Sequence, residues 1–415
     1  MTIGKCRDHL GTPLSSNSIK VLLLGGGEIG KEIALEAHKL GIEVVVVDRY
    51  DNAPAMHIAH RKYVINMLDG DAIKNIVRRE NPNLIIPEIE AINTEALKEL
   101  EAEGCIIAPN AEAVKICMNR IELRNFISKS LGLPTTNYFV ANDEYEVIKG
   151  CDSIGYPCII KPEMSSSGHG HVVVNTPLKE REYYELYRDV LSRSRGNSRR
   201  VIVEEFVKLN TEFTILTYRS LLPSEEVITD TLEPIEHWRY GKFHYIESWQ
   251  PSMKPADLLS RCREYSMRVV NALGGLGIYG VELFLTSDGR VLVSEVAPRP
   301  HDTGFVTLVT QDLNEFAIHL RSSLRLPVAK VNLISAGASY AVYAEEGVVW
   351  GPQYYGLCSV LSAEGVDVRI FGKPSTYPGR RVAVLIARGL TVDEARSKLH
   401  SVKDKIRISC GDRYG

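Results

Sequence analysis

The sequence contains no long apolar run. None approaches the roughly 20 residues that a membrane-spanning helix needs, and residues 1–18 lack the apolar core of a signal peptide. We therefore expect no membrane span and no secretion. The expected location is the cytoplasm, with residues 1–18 as a loosely ordered, disordered tail.

The sequence also has little net charge and no regular cysteine pattern. Its formal net charge is -3, which gives no general electrostatic reason to expect binding of nucleic acid. The 8 cysteines are scattered, with no Cys-x-x-Cys pair and no metal-ligand spacing. Reduced thiols are expected instead of a disulfide framework or a zinc site.

The composition is that of a soluble globular protein, with 44% hydrophobic and 24% charged residues. At 415 residues the chain is too long for one ordinary hydrophobic core. We expect two or three domains.

A β-hairpin is predicted between residues 281 and 296. Two runs rich in β-branched and apolar residues, 281–285 and 291–296, flank Asp288-Gly289, a strong short-range hairpin signal. If the loop consists of those two residues, Ser287 faces Arg290. Counting outward, Glu282 then faces Glu295.

This register would place two carboxylates side by side. Cβ atoms of directly opposed residues lie roughly 5 Å apart, and like charges at that distance are destabilising unless a cation lies between them. Carboxylate oxygens suit Mg²⁺, so Glu282 and Glu295 predict a magnesium site. The alternative is a bulge that shifts the register and turns both side chains to solvent. The stiff, proline-bounded stretch 297–304 follows, and such loops often carry binding residues.

The first third of the chain predicts a doubly wound parallel sheet. A strand pattern at 19–24, a glycine turn, a helical pattern at 28–40 and a strand at 43–47 form a βαβ unit, and the alternation continues to residue 103.

The glycine turn admits two interpretations. Gly25-x-Gly27-x-x-Gly30, with Asp48 after the next strand, matches the dinucleotide fingerprint of an NAD-dependent oxidoreductase. Glu28 weighs against it, because a carboxylate at the helix N-terminus competes with a pyrophosphate. A smaller ligand could instead bind the turn and donate hydrogen bonds to Glu28.

Glu88 follows a later strand at the same sheet edge, where open α/β folds bind ligands. Alternatively, Glu88 is only a favourable negative charge before the N-terminus of the following helix.

The middle of the chain contains a candidate phosphate-binding loop. Lys161 ends a strand pattern and is followed by a Ser/Gly loop, 163–170, whose amides could surround phosphates while Lys161 neutralises their charge. A flexible hairpin loop is the alternative. An acidic strand end at Glu204 and Glu205 follows, then Glu212 on the next strand.

The order of lysine, glycine loop, acidic strand end and paired glutamates is more specific than any one of them. With it, the sequence resembles the ATP-grasp superfamily and, within it, is similar to the formate-dependent phosphoribosylglycinamide formyltransferases of purine biosynthesis. The likeness covers roughly residues 19–384. It rests on the runs GGGEIGKE, VDRYDNAPAMHIAHR, VINMLDGD, IIPEIEAI, GYPCIIKPEMSSSGHG, ESWQP, GVELF, SEVAPRPHDTGFVTLVTQDL, FGKP and GRR.

The resemblance implies an α/β protein of three domains. These are a Rossmann-like N-terminal domain (19–118), a central α+β ATP-grasp domain (119–325) and a small β-rich C-terminal domain (326–415) that completes the ribonucleotide site. It also implies a homodimer.

The resemblance further implies a set of site residues. Those for ATP are Arg120, Lys161, Ser166, Ser167, Gly168, His169, Gly170, His171, Glu204, Glu205, Phe206, Val207 and, on the ribose, Glu212. Those for Mg²⁺ are Glu282 and Glu295. Those for glycinamide ribonucleotide are Glu28, Ile29, Glu88 and Asp302, with Lys373, Arg380 and Arg381 on its phosphate. Lys161, Asp302, Glu282 and Glu295 are the implied catalytic residues.

Two observations limit which site residues the resemblance implies for this sequence. His169 stands where the resembled family usually has lysine, which makes the charge of the loop weaker and dependent on pH. The stretch 225–245 and the tail after 387 match poorly, so no residue is transferred there. Independently of the resemblance, Lys373, Arg380 and Arg381 lie on two neighbouring turns and suit a phosphate, although exposed basic turns are common.

The implied chemistry is activation of formate by ATP to formyl phosphate, followed by attack of the substrate amine, with Asp302 either orienting that amine or taking its proton. Three alternatives remain at this point. They are a carboxylating ligase such as 5-(carboxyamino)imidazole ribonucleotide synthase, an NAD-dependent oxidoreductase, and a non-catalytic nucleotide-binding module.

Overall fold

The computed structural model describes residues 5–89, 91–164, 170–194, 199–240, 244–345 and 347–410. In its N-terminal part a four-stranded parallel sheet has the strand order β3-β2-β1-β4. The elements are β1 (Lys20–Leu24), α1 (Glu28–Lys39), β2 (Glu43–Asp48), β3 (Arg61–Val64), α2 (Gly70–Glu80), β4 (Leu84–Pro87), α3 (Thr94–Ala102) and α4 (Ala111–Met118).

Both faces of this sheet are buried. Alternate residues of β1 and β2 pack with α1 on one face and with α2, α3 and α4 on the other. Strands covered on both faces are apolar along their whole length, as the sequences KVLLL and EVVVVD show. The predicted parallel α/β architecture is confirmed.

A small antiparallel sheet follows, with the order β5-β8-β6-β7. We call it the small central sheet. The elements are α5 (Arg120–Asn125), β5 (Tyr138–Ala141), α6 (Glu144–Ile154), β6 (Cys158–Pro162), β7 (Val172–Val174), α7 (Glu180–Ser192) and β8 (Val201–Glu205). α6 and α7 pack on it through one apolar cluster.

The remaining chain forms a large antiparallel sheet with the order β14-β13-β9-β11-β12-β15-β20-β18, and β10 pairs with β9. Its strands and the neighbouring elements are β9 (Leu209–Leu221), β10 (Val227–Thr231), β11 (Ile235–Tyr240), β12 (His244–Gln250), α8 (Ala256–Leu273), β13 (Gly277–Thr286), β14 (Val291–Ala297), α9 (Thr307–Thr310), α10 (Glu315–Ser323), β15 (Ala336–Tyr343), β16 (Val349–Trp350), β17 (Pro352–Tyr355), α11 (Leu357–Leu361), β18 (Val366–Ile370), β19 (Ser375–Thr376), β20 (Arg381–Gly389), α12 (Val392–Val402) and β21 (Arg407–Cys410). The sheet continues from the central region into the C-terminal region through the pairing of β12 with β15.

The hairpin of β13 and β14 places Glu282 opposite Glu295, as predicted, although its loop differs from the predicted one. The Thr286 amide donates to the Arg290 carbonyl at 3.0 Å, so the loop has three residues, and Gly289 adopts a left-handed φ of 85°. The expectation that Ser287 faces Arg290 is therefore wrong. A bulge at Ser294 inserts one residue and restores the register at the two glutamates.

Residues 5–18 form no helix or strand but are attached to the folded domains. The Arg7 side chain donates to the Leu324 carbonyl at 3.2 Å, and the Leu14 amide donates to Glu43 at 3.0 Å. Among the described residues, no helix is both long and apolar enough to cross a bilayer.

Candidate active site

A cavity of about 770 Å³ lies between the small central sheet and the large sheet. We call it the central cavity. Eleven of the residues expected to bind ATP, magnesium or substrate line it: Arg120, Lys161, His171, Glu204, Glu205, Phe206, Val207, Glu212, Glu282, Glu295 and Asp302. The expected loop residues Ser166, Ser167, Gly168 and His169 lie outside the described residues. Gly170, at the end of that loop, is described and is buried.

Lys161 is held in position by a buried carboxylate. Its Nζ lies 2.6 Å from Oε2 of Glu204, whose Oε1 lies 2.7 Å from Nε of Arg124. Burial opposes ionisation of Glu204, but the two cations outweigh it and lower the pKa of Glu204 to about 2. The Glu204 carboxylate therefore binds two cations of the protein, and it holds the Lys161 ammonium group at the cavity wall.

The two hairpin glutamates occupy different environments. Glu282 is buried and contacts Nη2 of Arg239 at 2.8 Å and Nε2 of His301 at 2.9 Å. Burial raises the pKa of Glu282, but Arg239 and His301 reverse that effect and hold it well below its ordinary value. The Glu295 side chain is 46% exposed and lies 3.4 Å from Nη2 of Arg120. The lowered pKa keeps Glu282 a carboxylate at neutral pH, and both side chains line the same cavity.

Glu212, the expected ribose ligand, is joined to Glu282 by a guanidinium group. Arg239 Nε lies 2.6 Å from Glu212 Oε2, and the same oxygen is 3.0 Å from Nε2 of His237. His237 Nδ1 lies 3.4 Å from the Thr214 hydroxyl. Ligand atoms of Glu212, His237 and Glu282 all lie within 4.8 Å of one another, a spacing at which they could hold a metal ion.

Sequence reasoning missed His237 and Arg239 because residues 225–245 matched the resembled family poorly. A usable signal was present. Residues two apart on a strand share one face, so recognition of β11 would have placed both side chains on the same side of the sheet. Arg124 and His301 were also missed. The role of Arg124 depends on long-range pairing with Glu204, which no local pattern encodes.

A second group of charges connects the N-terminal and C-terminal regions. Glu28 lies 2.8 Å from Lys373 Nζ and 2.7 Å from Arg381 Nη2. Arg381 Nη2 also lies 2.6 Å from Asp302 Oδ1, at the wall of the central cavity. Burial disfavours the charge on Glu28, but Lys373 and Arg381 overcome it and lower its pKa to about 2. Arg381 likewise overcomes burial and lowers the pKa of Asp302.

Arg380 turns toward aromatic rings instead. Its guanidinium carbon lies 5.5 Å from the ring centre of Tyr50 and 5.3 Å from that of Tyr377, and Nη1 donates to the Ser375 hydroxyl at 3.0 Å. The three expected phosphate ligands are therefore close in the chain, but two of them already bind Glu28.

Glu88 lies against the glycine turn. A Cβ atom on Gly25 would come within 2.5 Å of Glu88 Oε2, so the absence of a side chain allows this approach. Burial raises the pKa of Glu88 to about 8, although Arg299 opposes the shift. The Ile29 side chain packs in the hydrophobic core, so only its backbone could face a ligand.

Asp48 ends β2, where the dinucleotide fingerprint places a ribose-binding acid, but its carboxylate is already hydrogen-bonded to the backbone. Its Oδ2 accepts a hydrogen bond from the Gly26 amide at 2.7 Å, and its Oδ1 accepts one from the Arg49 amide at 2.6 Å. The carboxylate stabilises the glycine turn internally, which argues against the dinucleotide interpretation.

Three domain families match the chain in succession. The ribonucleotide synthetase preATP-grasp domain matches residues 19–118, the ATP-grasp domain matches residues 126–316, and the family described as PurT, C-terminal, matches residues 337–406.

Curated relatives match almost the whole chain. The formate-dependent phosphoribosylglycinamide formyltransferase of Saccharolobus solfataricus is 54% identical over 400 residues, which span 96% of this chain and 100% of the relative. The protein of the same name from Methanocaldococcus jannaschii is 44% identical over 400 residues, covering 96% of this chain and 99% of the relative.

Solved structures share the fold. The glycinamide-RNase-transformylase T of Mycobacterium tuberculosis aligns with a TM-score of 0.77 at 28% identity, covering 94% of this chain and 100% of that chain. The N5-carboxyaminoimidazole ribonucleotide synthetase of Thermotoga maritima aligns with a TM-score of 0.80 at 25% identity, covering 94% of this chain and 99% of that chain.

Proposed function

The chain belongs to the formate-dependent phosphoribosylglycinamide formyltransferases, a family of ATP-grasp enzymes, and from this membership we propose that it formylates glycinamide ribonucleotide in purine biosynthesis, using formate and ATP. One observation carries the assignment of residues. Lys161, Glu282 and Asp302 line a single cavity, and Arg381 connects Asp302 to Glu28 of the N-terminal domain. Side chains suited to binding ATP therefore lie next to side chains suited to binding a ribonucleotide that carries an amine.

The reaction has two steps. A formate oxygen attacks the γ-phosphorus of ATP, the bond to the β,γ-bridging oxygen breaks, and formyl phosphate and ADP result. The substrate amine then attacks the formyl carbon, the carbon–oxygen bond to phosphate breaks, and the amine loses a proton. The products are N-formylglycinamide ribonucleotide, ADP and phosphate.

Lys161 supplies positive charge for the phosphoryl groups of ATP. Its contact with Glu204 fixes the ammonium group on the cavity wall before ATP binds, so little reorganisation is needed during transfer. Arg120, at the same wall, adds a second cation. Glu212 is the proposed hydrogen-bond acceptor for the ribose hydroxyls, and Phe206 and Val207, which line the same cavity, are further proposed ATP-binding residues.

Glu282 and Glu295 fit a magnesium ion. They are opposed across the hairpin, both line the cavity, and both carry the oxygen donors that Mg²⁺ prefers. The ion, when bound with ATP, neutralises charge on the transferring phosphoryl group.

Glu28, Glu88 and Asp302 are the proposed ligands of glycinamide ribonucleotide, with Lys373, Arg380 and Arg381 near its phosphate. Asp302 is held at 2.6 Å by Arg381, which lowers its pKa. A carboxylate with a lowered pKa is a weak base, so Asp302 is better suited to accept a hydrogen bond from the amine and orient it. Closure of the site would exclude water, which destroys a mixed anhydride.

The test is a panel of co-substrates with ADP release as the measurement. ADP should form with formate and glycinamide ribonucleotide together and fall to background when either is omitted. Mass spectrometry should show the formamide product. Turnover only with bicarbonate and aminoimidazole ribonucleotide would replace this proposal with the carboxylating ligase.

We also propose a cytoplasmic location and a homodimer for this protein. Sedimentation of the purified chain tests the dimer, and a monomer at micromolar concentration would contradict it.

A further inference from the structure

Arg239 lies at the point where three possible ligands converge. It contacts Glu212 Oε2 through Nε at 2.6 Å and both oxygens of Glu282 through Nη2 at 3.0 and 2.8 Å. Its Nη2 is also 3.4 Å from His237 Nε2. The guanidinium therefore occupies the region among the same three side chains whose ligand atoms could hold a metal ion.

The alternation of β11 places the Arg239 side chain on the same face of the strand as that of His237. The pairing of β11 with β12 shifts by one residue between Trp238 and Arg239. The extra, unpaired residue is Ile246 of β12, so β11 keeps its regular alternation. The Arg239 side chain is only 23% exposed, and the central cavity is lined by it, by Lys161 and by Glu295.

The proposed function requires the carboxylates that Arg239 now binds. Under that function Glu282 binds magnesium and Glu212 binds the ribose, so both would withdraw oxygen atoms from the guanidinium. A largely buried guanidinium that loses its carboxylate partners is destabilised unless another anion replaces them. In this cavity, the anion that arrives with the magnesium is the triphosphate of ATP, and a guanidinium matches phosphate oxygens bidentately.

We propose that Arg239 is a substrate-binding residue that exchanges partners. It occupies the cation position among Glu212, His237 and Glu282, competes there with divalent ions, and moves onto the terminal phosphates when the metal–nucleotide complex takes the carboxylates. Only the second half of this proposal rests on the proposed function, because the competition with divalent ions requires no particular substrate.

The first test measures Mn²⁺ binding without any nucleotide, by the electron paramagnetic resonance signal of free Mn²⁺. Arg239→Gln removes the competing cation and leaves Glu212, His237 and Glu282 to bind the ion, so the dissociation constant should fall by about tenfold. Arg239→Lys keeps the charge and should stay within about twofold of the unmodified protein. An unchanged constant in Arg239→Gln would overturn the competition.

The second test measures kcat and the KM for ATP with formate and glycinamide ribonucleotide. Loss of a phosphate-binding group should lower kcat in Arg239→Gln by about 100-fold, with a smaller loss in Arg239→Lys. An unchanged kcat would overturn the phosphate contact even if Mn²⁺ binding tightens.

Arg263→Gln is the matched control. Arg263 also pairs with a glutamate, Glu233 at 2.8 Å, but it does not line the central cavity. Neither Mn²⁺ binding nor kcat should change, and thermal unfolding would verify that all variants are folded. If the unmodified protein releases no ADP with formate and glycinamide ribonucleotide, the proposed function fails, while the Mn²⁺ comparison still decides whether Arg239 competes with metal.

Discussion

Glu28 and Asp302 share one nitrogen atom of Arg381. Nη2 of that arginine lies 2.7 Å from Glu28 Oε1 and 2.6 Å from Asp302 Oδ1. One carboxylate begins the first helix of the N-terminal sheet domain, and the other follows the acidic hairpin of the large sheet. Their common partner belongs to β20, so three distant parts of the chain meet at a single guanidinium.

Substitution of Glu28 should weaken binding of glycinamide ribonucleotide and leave binding of ATP nearly unchanged. In Glu28→Gln, the ribonucleotide loses a charged hydrogen-bond acceptor, and a hydrogen bond to a charged group is worth about 1.5–3 kcal/mol. We expect the KM for glycinamide ribonucleotide to rise by about 10- to 100-fold, while the KM for ATP stays within about twofold. Steady-state kinetics with each substrate varied in turn measures both. Glu95→Gln, at an exposed position of α3, is the control, and an equal rise in both constants would contradict the assignment.

Glu295 should be essential for turnover and dispensable for folding. Its side chain is 46% exposed and its ion pair with Arg120 is long, so Glu295→Gln should leave the melting temperature nearly unchanged. Loss of a charge-stabilising group at the phosphoryl-transfer site should lower kcat by about 100- to 1000-fold. Glu264→Gln, on the exposed side of α8, should keep full activity. A normal rate in Glu295→Gln would remove Glu295 from the magnesium site.

The raised pKa of Glu88 should lower the free energy of unfolding as pH rises. Its pKa is raised from 4.5 to about 8, so between these values the folded protein holds a proton that the unfolded chain has lost. The free energy of unfolding must then decrease from pH 4.5 to pH 8 on account of this group. Glu88→Gln removes the titration, so its melting temperature should fall less between pH 5 and pH 8 than that of the unmodified protein. Parallel decreases in the two proteins would show that Glu88 is already ionised at neutral pH.

Glu204 should stabilise the small central sheet by pairing with Lys161 and Arg124. Glu204→Ala leaves two buried cations without their anion, a change that costs about 3–5 kcal/mol. Chemical denaturation followed by circular dichroism should show this loss, and the KM for ATP should rise because Lys161 is no longer held. Glu185→Ala removes an exposed pair on α7 and should cost less than about 0.5 kcal/mol. Equal stability of the two variants would contradict the role of Glu204.

Much of the fold could be predicted because its signals are local. Alternating strand and helix patterns predicted the N-terminal sheet, and Asp288-Gly289 predicted the hairpin. The hairpin also shows what local sequence signals do not predict, namely the loop length and the bulge. The loop has one residue more than predicted, and the bulge at Ser294 compensates for it, so the pairing of Glu282 with Glu295 was predicted correctly from an incorrect loop. The Ser294 carbonyl accepts a hydrogen bond from Arg124, a contact across 170 residues of chain that no local pattern encodes.

The candidate site was predictable where side chains belong to recognisable runs, such as Lys161 before the Ser/Gly loop. It was not predictable where partners come from elsewhere in the chain. Lys373 and Arg381 were expected to bind a substrate phosphate, and their pairing with Glu28 depends on how the C-terminal turns pack on α1. His237 and Arg239 lie in a strand with no apolar alternation, because both of its faces carry polar groups.

The pairing of β12 with β15 places the acidic hairpin and the strand that begins at Arg381 in one continuous sheet. Four residue pairs connect these strands, so the acidic hairpin and the C-terminal turns with Lys373 and Arg381 are attached to the same sheet. The small central sheet shares no strand pairing with that sheet in the part of the chain that the structure describes. If the site closes over ATP, as proposed above, we expect the small central sheet with Lys161 to shift relative to a single sheet that holds both proposed magnesium ligands and Arg381.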